Sequence, residues 1–208
     1  MRKHFMKQMM TALLILLAVP CVNAQIKVGD IYCKGDKVVR LADYDTLSHS
    51  ALGVVFYVDD SGKHGWVVAL EDEGLFTWGG CGVDTKLSNY STRRSAADDI
   101  DGYKNTKTIL ELNKNYPAFE AVDFSNGWYL PAIGQLKCLY KNLVDVNACL
   151  EKVGGSVVKR IGVTYWSSTE YSDIEAWYLV TIGGPEHTSD GYNDNKNGVR
   201  LVRSVRSF

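Results

Sequence analysis

Side-chain chemistry concentrates in two short stretches of this sequence. Asp98-Asp99-Ile100-Asp101-Gly102 places three carboxylates within four residues. Asp190-Gly191-Tyr192-Asn193-Asp194-Asn195-Lys196-Asn197 offers further oxygen donors around one tyrosine, with His187 just before it. Carboxylate and amide oxygens at this density can hydrogen-bond sugar hydroxyls or coordinate a hard cation such as calcium. The first run lacks the EF-hand pattern, which needs glycine at the sixth position and glutamate at the twelfth. Asn and Asp also make turns by bonding their own backbone, and that reading stays open for both stretches. The candidate ligand-binding residues are therefore Asp98, Asp99, Asp101, His187, Tyr192, Asn193 and Asp194. Their roles would be hydrogen bonding and, for Tyr192, stacking on a ring. No cofactor is expected. Calcium at either stretch is the alternative, and no metal-ligand set is assigned.

Motifs for catalysis are missing. The sequence has no GxSxG, HExxH, Walker loop or GxGxxG. His64 falls in a turn pattern and His187 in a Gly/Pro segment, where an exposed, chemically idle histidine is the plainer expectation. Ser167 and Ser168 lie within a strand pattern, without the glycines of a nucleophile elbow. The expectation is a protein that is not an enzyme.

The first 24 residues read as a secretory signal peptide. Arg2, Lys3 and Lys7 precede the apolar run Ala12–Val19, and Val22-Asn23-Ala24 is a small-residue cleavage pattern with Gln25 as the mature start. That run is too short for a membrane span, which takes about 20 residues. Lipidation at Cys21 is the alternative. The 23 Lys and Arg, less these three, leave 20 against 24 acidic residues, a net charge of −4. Such a balance lacks the basic footprint of nucleic-acid binding. Arg200, Arg203 and Arg206 cluster near the C-terminal end, but a spacing of three does not line one strand face. Export permits disulfides among Cys33, Cys81, Cys138 and Cys149, with three possible pairings. Cys138 and Cys149 fall in neighbouring helical patterns and form the candidate bridge. The alternative is that they are small buried apolar residues.

The elements that must position the candidate residues alternate in period. Ile26 to Leu41 predicts short strands about a turn at Lys34-Gly35-Asp36. Leu52–Val58 and Trp66–Leu70 predict a hairpin across a Gly/Asp/Ser loop, apolar on nearly every position and so covered on both faces. Gly79 to Lys107 is polar and predicts a long loop leading to a helix near Tyr103–Asn113. Pro131 suits a helix start, followed by Ile133, Leu136, Leu139, Tyr140 and Leu143 on one helical face. Asp145 is placed to cap a second helix that Gly154-Gly155 stops. Thr164–Thr169, Ala176–Ile182 and Val199–Val205 predict strands, with Gly183–Gly198 a loop or loose hairpin end. Trp128, Trp166 and Trp177 are expected in the core. Strands, then helices, then strands make the class α+β. Residues 25–208 show no composition break and read as one domain.

Five strings taken together carry a family resemblance: Gly127-Trp128-Tyr129-Leu130-Pro131, Leu136–Tyr140, Tyr165-Trp166-Ser167-Ser168-Thr169-Glu170-Tyr171, Ala176-Trp177-Tyr178 and Val199-Arg200-Leu201-Val202-Arg203. Over roughly residues 50–208 the chain resembles the Lcl C-terminal-like domain family of exported bacterial proteins. The resemblance implies a C-type-lectin-like fold, with mainly antiparallel mixed sheets, two or three helices and a long irregular region that carries any ligand site. It implies Trp128 and Trp166 as core rings, Pro131 as a helix start, and Arg200 and Arg203 as strand-end partners. The Glu-Pro-Asn and Gln-Pro-Asp loops of calcium-dependent sugar binders do not occur here. Tyr192-Asn193-Asp194 resembles their Trp-Asn-Asp motif only loosely. Function does not follow from fold. The expectation is an exported binding domain, periplasmic, at the cell surface or secreted, that recognises a glycan, a matrix polymer or a surface protein. The alternatives are a structural subunit of a surface assembly and an unrecognised hydrolase.

Overall fold

The structure is a computed structural model that describes residues 25–159, 161–182 and 191–208. The expected signal peptide, residues 1–24, and His187 lie outside the described residues. In chain order the elements are β1 (Ile31–Cys33), β2 (Lys37–Val39), β3 (Ala51–Val58), β4 (Gly65–Ala69), β5 (Gly74–Thr77), α1 (Arg93–Ala97), α2 (Gly102–Leu110), α3 (Pro117–Glu120), β6 (Trp128–Tyr129), α4 (Ile133–Lys141), α5 (Leu143–Lys152), β7 (Ile161–Glu170), β8 (Glu175–Ile182), β9 (Gly191–Asn195), β10 (Val199–Val202) and β11 (Val205–Ser207). The class is α+β, as expected. Among the described residues there are five α-helices, the short α1 and α3 being additions to the expected two or three.

The strands form two sheets, ordered β2-β1-β3-β4-β11-β6 and β5-β10-β7-β8-β9. Pairing is antiparallel except between β10 and β7, where Leu201 sits opposite Tyr165 in a parallel step. The Lys34-Gly35-Asp36 turn forms where predicted, with Cys33 opposite Lys37 and positive φ at Gly35 and Asp36. The β3–β4 hairpin also forms, with Val58 opposite Gly65.

The burial explains the apolar runs. One core lies among α4, α5 and both sheets, and takes Val54 and Phe56 of β3, Ile133, Leu136 and Leu139 of α4, Tyr165 of β7 and Trp177 and Leu179 of β8. A second core covers the other face of the five-stranded sheet, joining Trp166, Ala176 and Val202 to Trp78, Ile109, Tyr116 and Phe119. Neighbours Tyr165 and Trp166 therefore point into different cores, as strand alternation requires. A third, smaller cluster lies on the outer face of the six-stranded sheet around Tyr32, Val55 and Val67. Trp128, expected in the core, is half-buried beside that cluster.

Helix α4 starts two residues after Pro131. Its first turn is held by Gln135, whose Oε1 accepts from the Ala132 and Gly102 backbone N–H groups while Nε2 donates to Tyr129 Oη. Asp145 does not cap α5 but lies inside its first turn. The helix begins at Leu143, and the residue before it, Asn142, instead ties the helix start to β3 by donating to the Phe56 carbonyl at 2.9 Å. Gly154 takes positive φ just past the helix end, the conformation for which glycine is favoured there.

Two C-terminal expectations are corrected. Gly191–Asn195, expected in a loop, is the edge strand β9, with Trp177 opposite Asn193 and Tyr178 opposite Tyr192. Its Asn/Asp composition is poor for a strand, and cross-strand pairing with β8 overrides that preference. Val199–Val205, expected as one closing strand, is the start of two. β10 enters one sheet and β11 the other, with Arg203 and Ser204 between them.

The expected Cys138–Cys149 bridge is also corrected, since all four described cysteines are free thiols. Cys149 is buried against the backbone of Gly29, whereas Cys138 lies half-buried on the preceding helix. Both belong to the packing of the first core as small apolar groups.

Candidate functional site

Strand register lines up one row of side chains across the outer half of the five-stranded sheet. Trp166 of β7 sits opposite Tyr178 of β8, and Tyr178 opposite Tyr192 of β9. The Trp166 and Tyr178 rings meet edge to face at 6.0 Å, and Tyr178 and Tyr192 are tilted at 6.3 Å. Cations extend the row. The Arg200 guanidinium lies 3.8 Å from the Tyr178 centroid and 4.4 Å from that of Trp166. The Arg93 guanidinium lies 4.3 Å from the Tyr192 centroid, reaching across from α1. These distances are within cation–π range. Trp166 is fully buried, while Tyr178 and Tyr192 are half-buried, so the row emerges from the core toward the β9 edge.

Asp194 completes the row's polar side. Its Oδ2 accepts from Arg200 Nη2 at 2.6 Å and its Oδ1 from the Asn195 N–H at 2.7 Å. The Arg200 hydrogen bond, then that of Asn195, holds the Asp194 carboxyl below its ordinary pKa. The result is an edge that gathers two half-buried tyrosine rings, each with a guanidinium over it, and an ionised carboxylate. Such a surface can stack on a ring and hydrogen-bond its hydroxyls.

The other acidic stretch serves as helix punctuation. Asp98 is the C-cap of α1. Asp99 is buried, accepting from the Asp101 N–H and from Asn105 Nδ2, which also reaches Ser168 Oγ. Asp101 caps α2 by accepting from the Lys104 N–H at 3.1 Å. Asp98 and Asp101 remain exposed. Among the described residues no group of three or more His, Cys, Asp or Glu is placed to hold a metal ion. The link from this stretch to β9 is Arg93 over Tyr192. Ser167 and Ser168 are buried, and Ser167 Oγ donates to the Trp177 carbonyl at 2.7 Å.

The sequence reading missed a buried polar cluster next to this edge. Lys196, at the turn between β9 and β10, forms an ion pair with Glu170, the last residue of β7. Their side chains are 0% and 2% exposed. Lys196 Nζ also donates to the Asp173 carbonyl at 3.0 Å and lies 4.5 Å from the Trp78 ring centroid. Thr85 Oγ1 donates to Glu170 Oε2. Burial pushes the Glu170 carboxyl pKa up, against the opposing pull of Lys196 and Thr85. Embedded among Asn and Asp, Lys196 carries no sequence signal that separates it from the turn residues beside it.

The three C-terminal arginines diverge. Arg200 pairs with Asp194, Arg203 with Asp72 and Arg206 with Asp36. Arg203 is buried and also donates to the Ala69, Leu70 and Ser156 carbonyls, tying two loops together.

These features define an α+β protein with two open sheets and an aromatic edge. No protein-family model matches the sequence, and no curated protein matches it. Among solved structures it is similar to a fimbrial protein from Bacteroides ovatus, with a TM-score of 0.67 and 17% identity, over 88% of this chain and 49% of that one. The chain thus spans about half the length of that fimbrial protein. At this identity the likeness is one of fold.

Proposed function

We propose that the chain is an exported, non-enzymatic bacterial surface domain of C-type-lectin-like design. It binds a glycan, a matrix polymer or a surface protein at the β9 edge. The carrying observation is the row Trp166–Tyr178–Tyr192, flanked by Arg93 and Arg200 and finished by Asp194. Tyr192 supplies a stacking face and Asp194 hydrogen-bonding oxygens, whereas Asn193, paired with Trp177, sits on the opposite face of β9 and supports the strand. Asp98 and Asp101 stand at the α1–α2 side as rim carboxylates, whereas buried Asp99 supports the loop. A thermal-shift screen against polysaccharides, matrix proteins and calcium, with EDTA controls, tests the reading. A ligand at 100 times its dissociation constant adds about 2.7 kcal/mol to stability. A confirmed ligand that binds Tyr192→Ala and Asp194→Ala variants as well as wild type removes the site.

The likeness of fold to a fimbrial protein favours a second reading, a structural subunit of a surface assembly. Edge strands β5 and β9 would then be docking edges, since an added strand is a common mode of association. A sedimentation profile that stays monomeric across concentration counts against this second reading.

A further inference from the structure

The buried Lys196–Glu170 contact has the composition of an amide bond lacking only the loss of water. We propose that the folded chain joins these two side chains by an amide bond between Lys196 Nζ and Glu170 Cδ. In the step, the ion pair first passes a proton from the ammonium to the carboxylate, giving a neutral amine and a neutral acid. The amine lone pair attacks Cδ, and the bond from Cδ to Oε1 breaks. Oε1 leaves as water, carrying the carboxyl proton and one amine proton. Atoms and charge balance, and no oxidant, reductant or further reactant enters.

Three observations support the step. The first is position. Lys196 Nζ is in direct hydrogen-bond contact with Glu170 Oε1, and both side chains are held in the interior. Fixed reacting groups gain effective molarities of about 10⁵–10⁸ M over free ones.

The second is surroundings. A buried ion pair suffers a desolvation penalty that a neutral amide escapes. Desolvation already drives Glu170 toward its neutral acid, the form that an amine attacks. With the side chains 0% and 2% exposed, water is kept from reversing the reaction.

The third is the accounting of partners. A secondary amide keeps one N–H donor and one carbonyl acceptor. Lys196 Nζ already donates to the Asp173 carbonyl, and Glu170 Oε2 already accepts from Thr85 Oγ1. Both bonds survive the reaction unchanged. The atom that leaves, Oε1, is the one whose partner is Nζ itself. Thr85 is also placed to stabilise the negative charge that develops on Oε2 as Cδ becomes tetrahedral. Among the described residues the Tyr116 hydroxyl is buried without a hydrogen-bond partner, and its pKa is raised first by burial and then by the Glu170 charge.

The bond would fasten the end of β7 to the turn between β9 and β10. The test is the intact mass of the protein isolated from cells expressing the full chain, followed by protease mapping. The expected result is a chain lighter by one water than the sequence that runs from its observed N-terminus. A branched peptide should hold Lys196 and Glu170 together, with no tryptic cleavage after Lys196. A Lys196→Arg variant should show its unmodified sequence mass, and Glu170→Gln should lose ammonia in place of water. A folded wild-type chain at its full sequence mass, with Lys196 and Glu170 on separate linear peptides, overturns the proposal. So does a water loss that maps elsewhere.

Discussion

Arg200 and Asp194 form an ion pair whose two halves sit in different media. The Arg200 side chain is 8% exposed and that of Asp194 is 53% exposed. The guanidinium is held between two rings, so the carboxylate is the half that titrates against solvent. The folded-state pKa of Asp194 lies below its ordinary value. A depressed carboxyl contributes stability above the unfolded pKa, about 3.9, and loses it as pH falls through the folded value. The melting temperatures of wild type and Asp194→Asn should therefore differ by a constant amount near neutrality and converge in acid. A gap that persists unchanged into strong acid would show that the ion pair is not its source.

Substitution of Arg203 should be among the most damaging changes in the chain. Arg203→Ala leaves the Ala69, Leu70 and Ser156 carbonyls without their shared donor and Asp72 without its partner. Breaking a buried pair in this way costs about 3–5 kcal/mol. Arg203→Lys should recover little, because an ammonium lacks the planar fork that reaches several acceptors. Urea denaturation midpoints measure both.

Gly134→Ala should destabilise through a clash rather than through helix propensity. A Cβ at this position would lie 2.5 Å from the carbonyl oxygens of both Ala97 and Asp99. Both obstacles are backbone, so α4 would have to move from the α1–α2 connection. Overpacking of this kind costs about 1–3 kcal/mol. An alanine variant as stable as wild type would mean that this helix contact is looser than the structure has it.

Tyr192→Ala tests the β9 edge directly. Once a ligand is in hand, loss of the stacking face should weaken binding about tenfold or more, equivalent to 1.4 kcal/mol or greater. Asp98→Asn, at a helix C-cap on the rim, should weaken it far less. Titration calorimetry or immobilised-ligand binding compares them. Equal losses from both would move the centre of the site toward α1.

Thiol labelling reports on the cysteines. Burial raises the thiol pKa of Cys33, Cys138 and Cys149, and Cys33 and Cys149 are the two enclosed in the core. In native protein these two should alkylate slowly. In denaturant without reductant, Cys33, Cys81, Cys138 and Cys149 should all react. A pair of cysteines that labels in denaturant only after reductant is added would indicate a disulfide instead.

Local signals account for what was legible beforehand. The three-and-four spacing of Ile133, Leu136, Leu139, Tyr140 and Leu143 needs no knowledge of the rest of the chain, and α4 lies where that spacing puts it. The continuous apolar runs of β3 and β4 correctly announced cover on both faces. The site was half legible. Tyr192 and Asp194 do share a face of the edge strand, with Asn193 on the other, but that strand character comes from pairing with β8, a partner that no local pattern names. Asp98 and Asp101 also cap helices and Asp99 braces the loop between them, roles that the sequence could not separate from ligand binding because both draw on the same oxygen atoms. Arg200 was expected as a strand-end partner, yet its seat between Trp166 and Tyr178 depends on cross-strand register. Lys196 was hidden for the same reason, since its partner Glu170 lies 26 residues away in sequence.

The divergence of β10 and β11 has a consequence for the order in which the fold can close. β10 is an interior strand of one sheet, between β5 and β7, and β11 is an interior strand of the other, between β4 and β6. A chain delivered from its N-terminal end therefore has a gap one strand in from an edge of each sheet until residues 199–207 emerge. Neither half can seal early around its own core. One short segment then shuts both sheets.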